Sequence, residues 1–459
     1  MKKTNLKTEA DRRTVSPERN AEYVKILSEM INCKTVWTPE DTNRSEYDKF
    51  YEVLAKSFPN IMAKAEKLTF GGGCFVYIVK GKNAKKNVML MSHHDVVDGS
   101  AEWATDPFNA TEKDGYLYGR GTIDTKTPLF AELMACEELL AEGYDFEGIN
   151  LYIGSSNNEE VCGDGIVMAV EYFKEHGIHF DTVLDEGGAV TEGQIPGVTC
   201  KSAMVAVHEK SRHLYRCTAT VSSKGHGGFG GSTDSAVERL SRFITEVSDK
   251  SKKIYKAKFY PEVKATFERH IPYMPTVMKV LFGNLNLFAP LLKKIMMGIP
   301  AASAMLSTGL SFTALEAKSE FGPQVKAKTA ETTMFLRCVR EDDLNAGLEK
   351  IKAIAEKYGV EIELIERDYC KPSDFNSDAF KTVEKVLNEN YPDVAVAPFL
   401  LTAGTDARRF TDVADNILRF APIDLNKAQF ATIHAENEHI GIKNIGECVV
   451  FYKDFIKKI

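Results

Sequence analysis

The chain has 459 residues, too many for one hydrophobic core, so two domains are expected. Hydrophobic residues make up 44%, charged residues 27%, and the net charge of −7 is spread over both signs; this fits a cytosolic enzyme and argues against a nucleic-acid binder. The basic start MKKTNLKTEADRRTVSPERN has no apolar run behind it and does not read as a signal peptide, no run of about 18 apolar residues reads as a membrane span, and the nine scattered cysteines hold no CxxC pair, which reads as free thiols in a reducing compartment.

Residues 1 to 16 read as a solvated tail. Ser16 as N-cap and Pro17 at the first helical position predict a helix, with Val24, Leu27, Met30 and Ile31 on one face. The apolar run Asn87 to Met91 reads as a buried parallel strand and leads directly into SHHD (Ser92 to Asp95). GTIDT (Gly121 to Thr125) precedes a helix over Lys126 to Glu142, carried by Leu129, Leu133, Cys136 and Leu140. A strand over Asn150 to Gly154 ends at NNEE (Asn157 to Glu160). A helix over Asp164 to His176 follows, and a strand over Thr182 to Leu184 ends at LDEGG (Leu184 to Gly188). Strand, polar cluster and helix thus alternate. That rhythm predicts an α/β fold with a mostly parallel sheet flanked by helices and chemistry at the carboxyl ends of its strands.

The rhythm changes near Cys200. Residues 201–225 read as antiparallel strands and Ser235 to Val247 as a helix. Tyr260 to Leu315 is rich in Met, Leu, Phe and Pro. Its apolar runs are broken by Pro275, Gly283, Pro290, Lys293 and Lys294, so a packed helical insertion or an interface is expected ahead of a lipid-facing patch. Strands over Glu331 to Cys338 and Val360 to Ile365 flank a helix over Asp342 to Tyr358, and a helix over Ala379 to Leu387 returns to the first domain. The expected organisation is a first domain in two parts, 17–200 and 367–459, interrupted by a smaller α+β domain at 201–366 with an apolar helical insertion at about 260–315.

The polar clusters carry the chemistry. His93 suits a metal ligand, with Asp95, two residues on along an extended segment, as its orienting partner. Asp124, between a glycine-rich turn and a helix start, suits either a helix cap or a carboxylate bridging two cations. Glu159 and Glu160 are adjacent anions whose repulsion a metal would relieve, one ligating and the other taking a proton from water. Asp185 and Glu186 repeat that arrangement, and His434, leading HAENE (His434 to Glu438), adds a second imidazole.

Five such clusters in this order resemble the co-catalytic zinc aminoacylase and carboxypeptidase family. It includes Gly-X carboxypeptidase (carboxypeptidase S), aminoacylase, glutamate carboxypeptidase and succinyl-diaminopimelate desuccinylase. The resemblance covers about residues 20–459 and is closest to the carboxypeptidase S-like branch, which also carries LDEGG and an apolar lid insertion. It implies two Zn2+ per subunit, with Co2+ or Mn2+ able to replace them. His93, Asp124, Glu160, Asp185 and His434 would be the ligands, with Glu186 the rival of Asp185. Asp95 would orient His93, and Glu159 would be the general base. A cis peptide would follow Asp124, at Asp124–Thr125. His226, in KGHGGFGG, would reach a partner subunit's active site and donate to the oxyanion. Gly404, Thr405 and Arg408 of GTDAR would hold a substrate carboxylate, and Arg337 matches a family strand position. Two departures stand out. Gln324-Val325-Lys326-Ala327 replaces an Asn-Val-x-Pro segment, and Lys210 to His213 lacks a usual glycine.

The implied reaction is dinuclear zinc hydrolysis of the amide bond in a dipeptide or an N-acyl amino acid with a free carboxylate. The implied partners are that small substrate and a second copy, as a homodimer through the lid. A catalytically inactive or binding-only member of the same fold is the alternative.

Overall fold

A computed structural model describes residues 6–40, 43–100, 102–195, 197–221, 234–319, 322 and 324–459. The chain forms two compact units. One comprises the chain up to His208, Lys264–Gly283 and Lys371–Ile459; the other comprises Glu209–Val263 and Asn284–Cys370.

The first unit is built on a ten-stranded sheet. Its centre is parallel: Ile149–Ser155, Lys86–Met91, Phe180–Asp185 and Ala414–Arg419 run side by side in that order. Cys74–Val79 and Glu66–Phe70 extend one edge as antiparallel strands. The run CFVYIV is apolar throughout because both faces of the sheet are covered. Phe75, Tyr77 and Val79 face a core shared with helices Pro17–Ile31, Arg44–Ser57, Lys126–Ala141, Asp378–Asn390 and Ile442–Lys458. Cys74, Val76 and Ile78 face a second core with helix Gly165–Glu175. Each fully buried Leu or Phe in these layers contributes about 1.5–3 kcal/mol through burial. The first helix starts as its sequence implies: Ser16 accepts the Arg19 amide at 3.2 Å, and Pro17 opens the first turn.

In the second unit, strands Gly309–Ala317, Thr329–Cys338, Ser211–Thr220 and Val360–Asp368 form an antiparallel sheet in that order. Cys217, Ala219, Met334 and Leu336 meet Leu240, Phe243 and Val247 of helix Ala236–Ile254 and Leu344, Leu348 and Ile351 of helix Glu341–Tyr358.

The two strands after Cys200 do not form a hairpin. Ser202–Glu209 pairs antiparallel in the first sheet, and Ser211–Thr220 belongs to the second. The apolar stretch folds as helices Pro261–His270, Thr276–Gly283, Leu285–Met296 and Pro300–Leu306, and then gives way to the edge strand Gly309–Ala317.

Candidate metal centre

Parallel register levels three strand ends. Leu90 lies opposite both Ile153 and Leu184, and Met91 opposite Gly154. The loops after Met91, Ser155 and Asp185 therefore begin side by side, where an open parallel sheet places its chemistry.

His93 is buried, and its Nδ1 lies 2.9 Å from the Asp95 carbonyl oxygen. A carbonyl only accepts, so Nδ1 carries the proton and Nε2 is left facing Asp124 Oδ1 at 3.0 Å. The Asp95 carboxylate has no exposed surface. Its Oδ1 accepts the Glu159 amide at 3.1 Å, and its Oδ2 accepts the Glu160 amide at 3.0 Å. Asp95 thus ties the histidine loop to the acid pair. The Asp124–Thr125 peptide is cis. The Thr125 hydroxyl donates to the His93 carbonyl at 2.9 Å and accepts the His93 amide at 3.1 Å, locking the two loops together.

His434 arrives through a short pairing. Strand His439–Gly441 runs antiparallel to Tyr116–Tyr118, and the Gly119 amide donates to the Glu438 carbonyl at 3.0 Å. This lays the histidine segment along the loop that carries Asp124. His434 Nε2 then stands 2.9 Å from Asp124 Oδ2 and 3.1 Å from the Glu160 carboxylate. Asp124 therefore presents one oxygen to each of two imidazoles. His93, Asp124 and Glu160 each offer a ligand atom within 4.8 Å of the others.

Asp185 and Glu186 part company. Asp185 is buried, with Oδ1 on the Glu186 amide and Oδ2 on the Ala407 amide, both at 2.9 Å. Glu186 carries its carboxyl into the field of Asp124, His93 and Glu159. Asp406, which sequence reasoning passed over, is buried, accepts from the Ser156 hydroxyl and faces Asp185, Glu159 and Asp95. Glu438 was also passed over as a functional group. Its Oε1 accepts the amides of Ile123 and Asp124, and its Oε2 accepts from Arg120 at 2.7 Å. Both lie inside quoted motifs, GTDAR and HAENE, and that was their only signal.

The remaining expected residues are placed as follows. Thr405 and Arg408 are buried and Gly404 half-buried. Arg408 Nη1 donates to the Thr405 carbonyl at 2.7 Å, and Nη2 lies 3.8 Å from Cys162 Sγ. Arg337 is half-buried on strand Thr329–Cys338 of the second unit. His226 lies outside the described residues.

The electrostatics are those of an anionic cluster. Burial, followed by the charge of Asp406, pushes the Glu159 carboxyl well above the usual range. Burial, followed by Asp124 and Asp185, does the same to Glu186. Burial and Asp406 raise Asp185 to about 7 against the pull of its amide donors. Burial alone would raise Asp124, but hydrogen bonds from His434 and His93 hold it below the usual range. Those bonds act in both directions. His434 is raised to about 10 by Asp124 and Glu160, and Asp124 and Asp95 raise His93 despite its burial. The imidazolium protons here stand where a cation would stand. The tautomer forced on His93 aims a ligand nitrogen at Asp124, and carboxylates flank both rings. That donor set fits a borderline divalent ion such as zinc.

The profile of peptidase family M20/M25/M40 matches residues 89–458. The chain is similar to an N-fatty-acyl-amino acid synthase/hydrolase, PM20D1.1, of Danio rerio, at 28% identity over 95% of this chain and 86% of that protein. It is also similar to a probable carboxypeptidase S-like 2 of Dictyostelium discoideum, at 27% identity over 95% of this chain and 85% of that one. Among solved structures, a metallo-carboxypeptidase, Sso-CP2, from Sulfolobus solfataricus superposes with a TM-score of 0.69 at 17% identity, covering 95% of this chain and 99% of that one. Human carnosine dipeptidase 1 superposes at 0.62 and 15% identity, over 96% of each chain.

Proposed function

The chain belongs to peptidase family M20/M25/M40 and is a hydrolase acting on peptide bonds, and from that premise we propose that it cleaves the amide bond of a dipeptide or an N-acyl amino acid bearing a free carboxylate, using two zinc ions. The observation that carries the reading is Asp124 between His93 and His434, one oxygen to each ring. In this proposal His93, Asp124, Glu160 and His434 hold the ions. Glu186 takes the fifth place in preference to Asp185, because both Asp185 oxygens are engaged by backbone amides.

When bound, such ions acidify water and polarise an amide carbonyl. The protein's own groups supply the rest. Glu159, held by its amide on Asp95, takes a proton from the attacking water and passes it to the leaving amine. Asp95 fixes the His93 ring and the acid pair together. Gly404, Thr405 and Arg408 are the candidates for the substrate carboxylate, and Arg337 and His226 for contacts from the second unit's sequence. The similarity to an N-fatty-acyl-amino acid synthase/hydrolase and to a probable carboxypeptidase S-like protein supports an acyl or aminoacyl substrate with a free carboxylate.

We also propose a homodimer through the second unit, whose outer strands expose Leu315, Leu364 and Ile365. A cytoplasmic location is supported by nine free cysteines. No helix among the described residues is long and apolar enough to cross a membrane.

Glu159→Gln tests the reading. Metal content should stay at two ions per chain while turnover on a panel of N-acyl amino acids and dipeptides falls by at least about 100-fold. Wild-type turnover in that variant would refute the base. A zinc-loaded wild type inert on the whole panel would favour a binding-only protein.

A further inference from the structure

Helix Leu285–Met296 of the second unit is apolar on more than its packed side. Leu285, Leu292 and Met296 are buried. At four-residue spacing Leu287, Leu291 and Ile295 are 73%, 49% and 51% exposed, and Ile299 continues the line at 45%. Three large side chains on one open stripe call for a cover.

The charge around the stripe indicates what covers it. Lys294, three residues after Leu291, shares that face, and Lys293 flanks it. Neither ammonium has an ion pair among the described residues. From Asn284, where this part of the second unit begins, to Leu315 the sequence holds no Asp or Glu, only Lys293 and Lys294, although the whole chain has more acidic than basic residues, 65 against 58. Contact with a second copy of an acidic chain gives no reason to clear carboxylates from the approach. Contact with an anionic bilayer does, because its surface potential repels each carboxylate and attracts each lysine. A helix of twelve residues containing Pro290 cannot span a bilayer, but it can lie in the headgroup plane.

We infer that this face docks on an anionic phospholipid surface. Leu287, Leu291 and Ile295 enter the acyl boundary, and the stems of Lys293 and Lys294 carry their ammonium groups to the phosphates. The inference does not depend on the metal centre or on the substrate.

Co-sedimentation of the full chain with phosphatidylcholine vesicles, with and without phosphatidylserine, tests it. Binding should require phosphatidylserine and weaken with added salt. Lys293→Gln with Lys294→Gln should cost on the order of 10-fold in apparent affinity. Leu287→Gln with Ile295→Gln should abolish binding, with an unchanged melting temperature because both positions are exposed. Equal sedimentation with neutral and anionic vesicles, or none with either, would overturn the inference. So would a Leu287→Gln, Ile295→Gln pair that left vesicle binding intact but halved the mass in analytical ultracentrifugation, since the stripe would then be a subunit interface.

Discussion

The amide of Asp124 donates to Glu438 Oε1 at 3.1 Å, and the amide of Ile123 donates to the same oxygen at 2.6 Å. One carboxylate, four residues beyond His434, therefore positions the backbone of the aspartate that His434 faces. The other oxygen of Glu438 is paired with Arg120, and the two side chains are 0% and 3% exposed. Glu438→Gln puts an NH2 group where an acceptor is needed and leaves a buried guanidinium short of its partner. Breaking such a pair costs about 3–5 kcal/mol, and loosening a ligand's support costs about 10–100-fold in metal affinity. Chelator competition and thermal melts should show both losses, and unchanged zinc affinity would remove Glu438 from the positioning role.

Gly188, in LDEGG, sits where two backbones close in. A Cβ there would lie 2.2 Å from the Met204 carbonyl oxygen and 2.6 Å from that of Arg419. Neither is the tip of a flexible side chain, so a strand must move. Gly188→Ala should destabilise the protein by about 1–3 kcal/mol, read as a lower melting temperature. An unchanged melt would show that the strands around Met204 and Arg419 adjust freely.

The strand-end clusters were legible in the sequence because a strand covered on both faces is apolar throughout, so the first polar residues mark its end. Asn87 to Met91 and Asn150 to Gly154 show this. The same signal was present in Cys74–Val79, which was not read as a strand. The meeting of His434 with Asp124 was legible only through the family resemblance. It depends on pairing two three-residue strands, Tyr116–Tyr118 and His439–Gly441, too short to leave a period. The expected ligand Asp185 and its rival Glu186 could not be separated from sequence. Adjacent residues point to opposite sides, and no sequence pattern shows that the Asp185 oxygens meet the amides of Glu186 and Ala407. The pattern Leu129, Leu133, Cys136, Leu140 predicts the helix but not its full burial: Phe130, Ala131, Met134 and Leu139 are buried too. That helix is apolar all round because it is packed all round.

His270 gives a pH dependence away from the centre. Its Nδ1 donates to the Thr266 carbonyl at 2.6 Å, and its Nε2 accepts from the Ser202 hydroxyl at 2.8 Å. Burial lowers its pKa, against a smaller opposite pull from the Thr266 carbonyl. The folded pKa is thus below the unfolded one. Its contribution is complete above the unfolded value, about 6.5, and is lost as pH falls through the lowered folded value. Stability should drop as pH falls below about 6.5, with a slope from this group of at most about 1.4 kcal/mol per pH unit. His270→Gln should flatten that part of the curve. Identical slopes in wild type and variant would show that His270 does not titrate on unfolding.

Asp185→Asn and Glu186→Gln should fail in different ways. Asp185 is buried, and its oxygens cap two backbone amides, one in its own loop and one at Ala407. An asparagine there turns one acceptor into a donor facing an N–H. The cost is about 1–3 kcal/mol for the amide left unsatisfied, appearing as a lower melting temperature while two metal ions are retained. Glu186 makes no such bond to either amide, and its carboxyl stands in the field of Asp124 and His93. Glu186→Gln should keep or raise the melting temperature of the metal-free protein, because its carboxyl, raised well above the usual range beside Asp124 and Asp185, must take up a proton on folding and glutamine need not. The same variant should bind one zinc where the wild type binds two, with turnover falling accordingly. Inductively coupled plasma analysis of both dialysed variants decides between them: two ions in Glu186→Gln and one in Asp185→Asn would return the ligand role to Asp185.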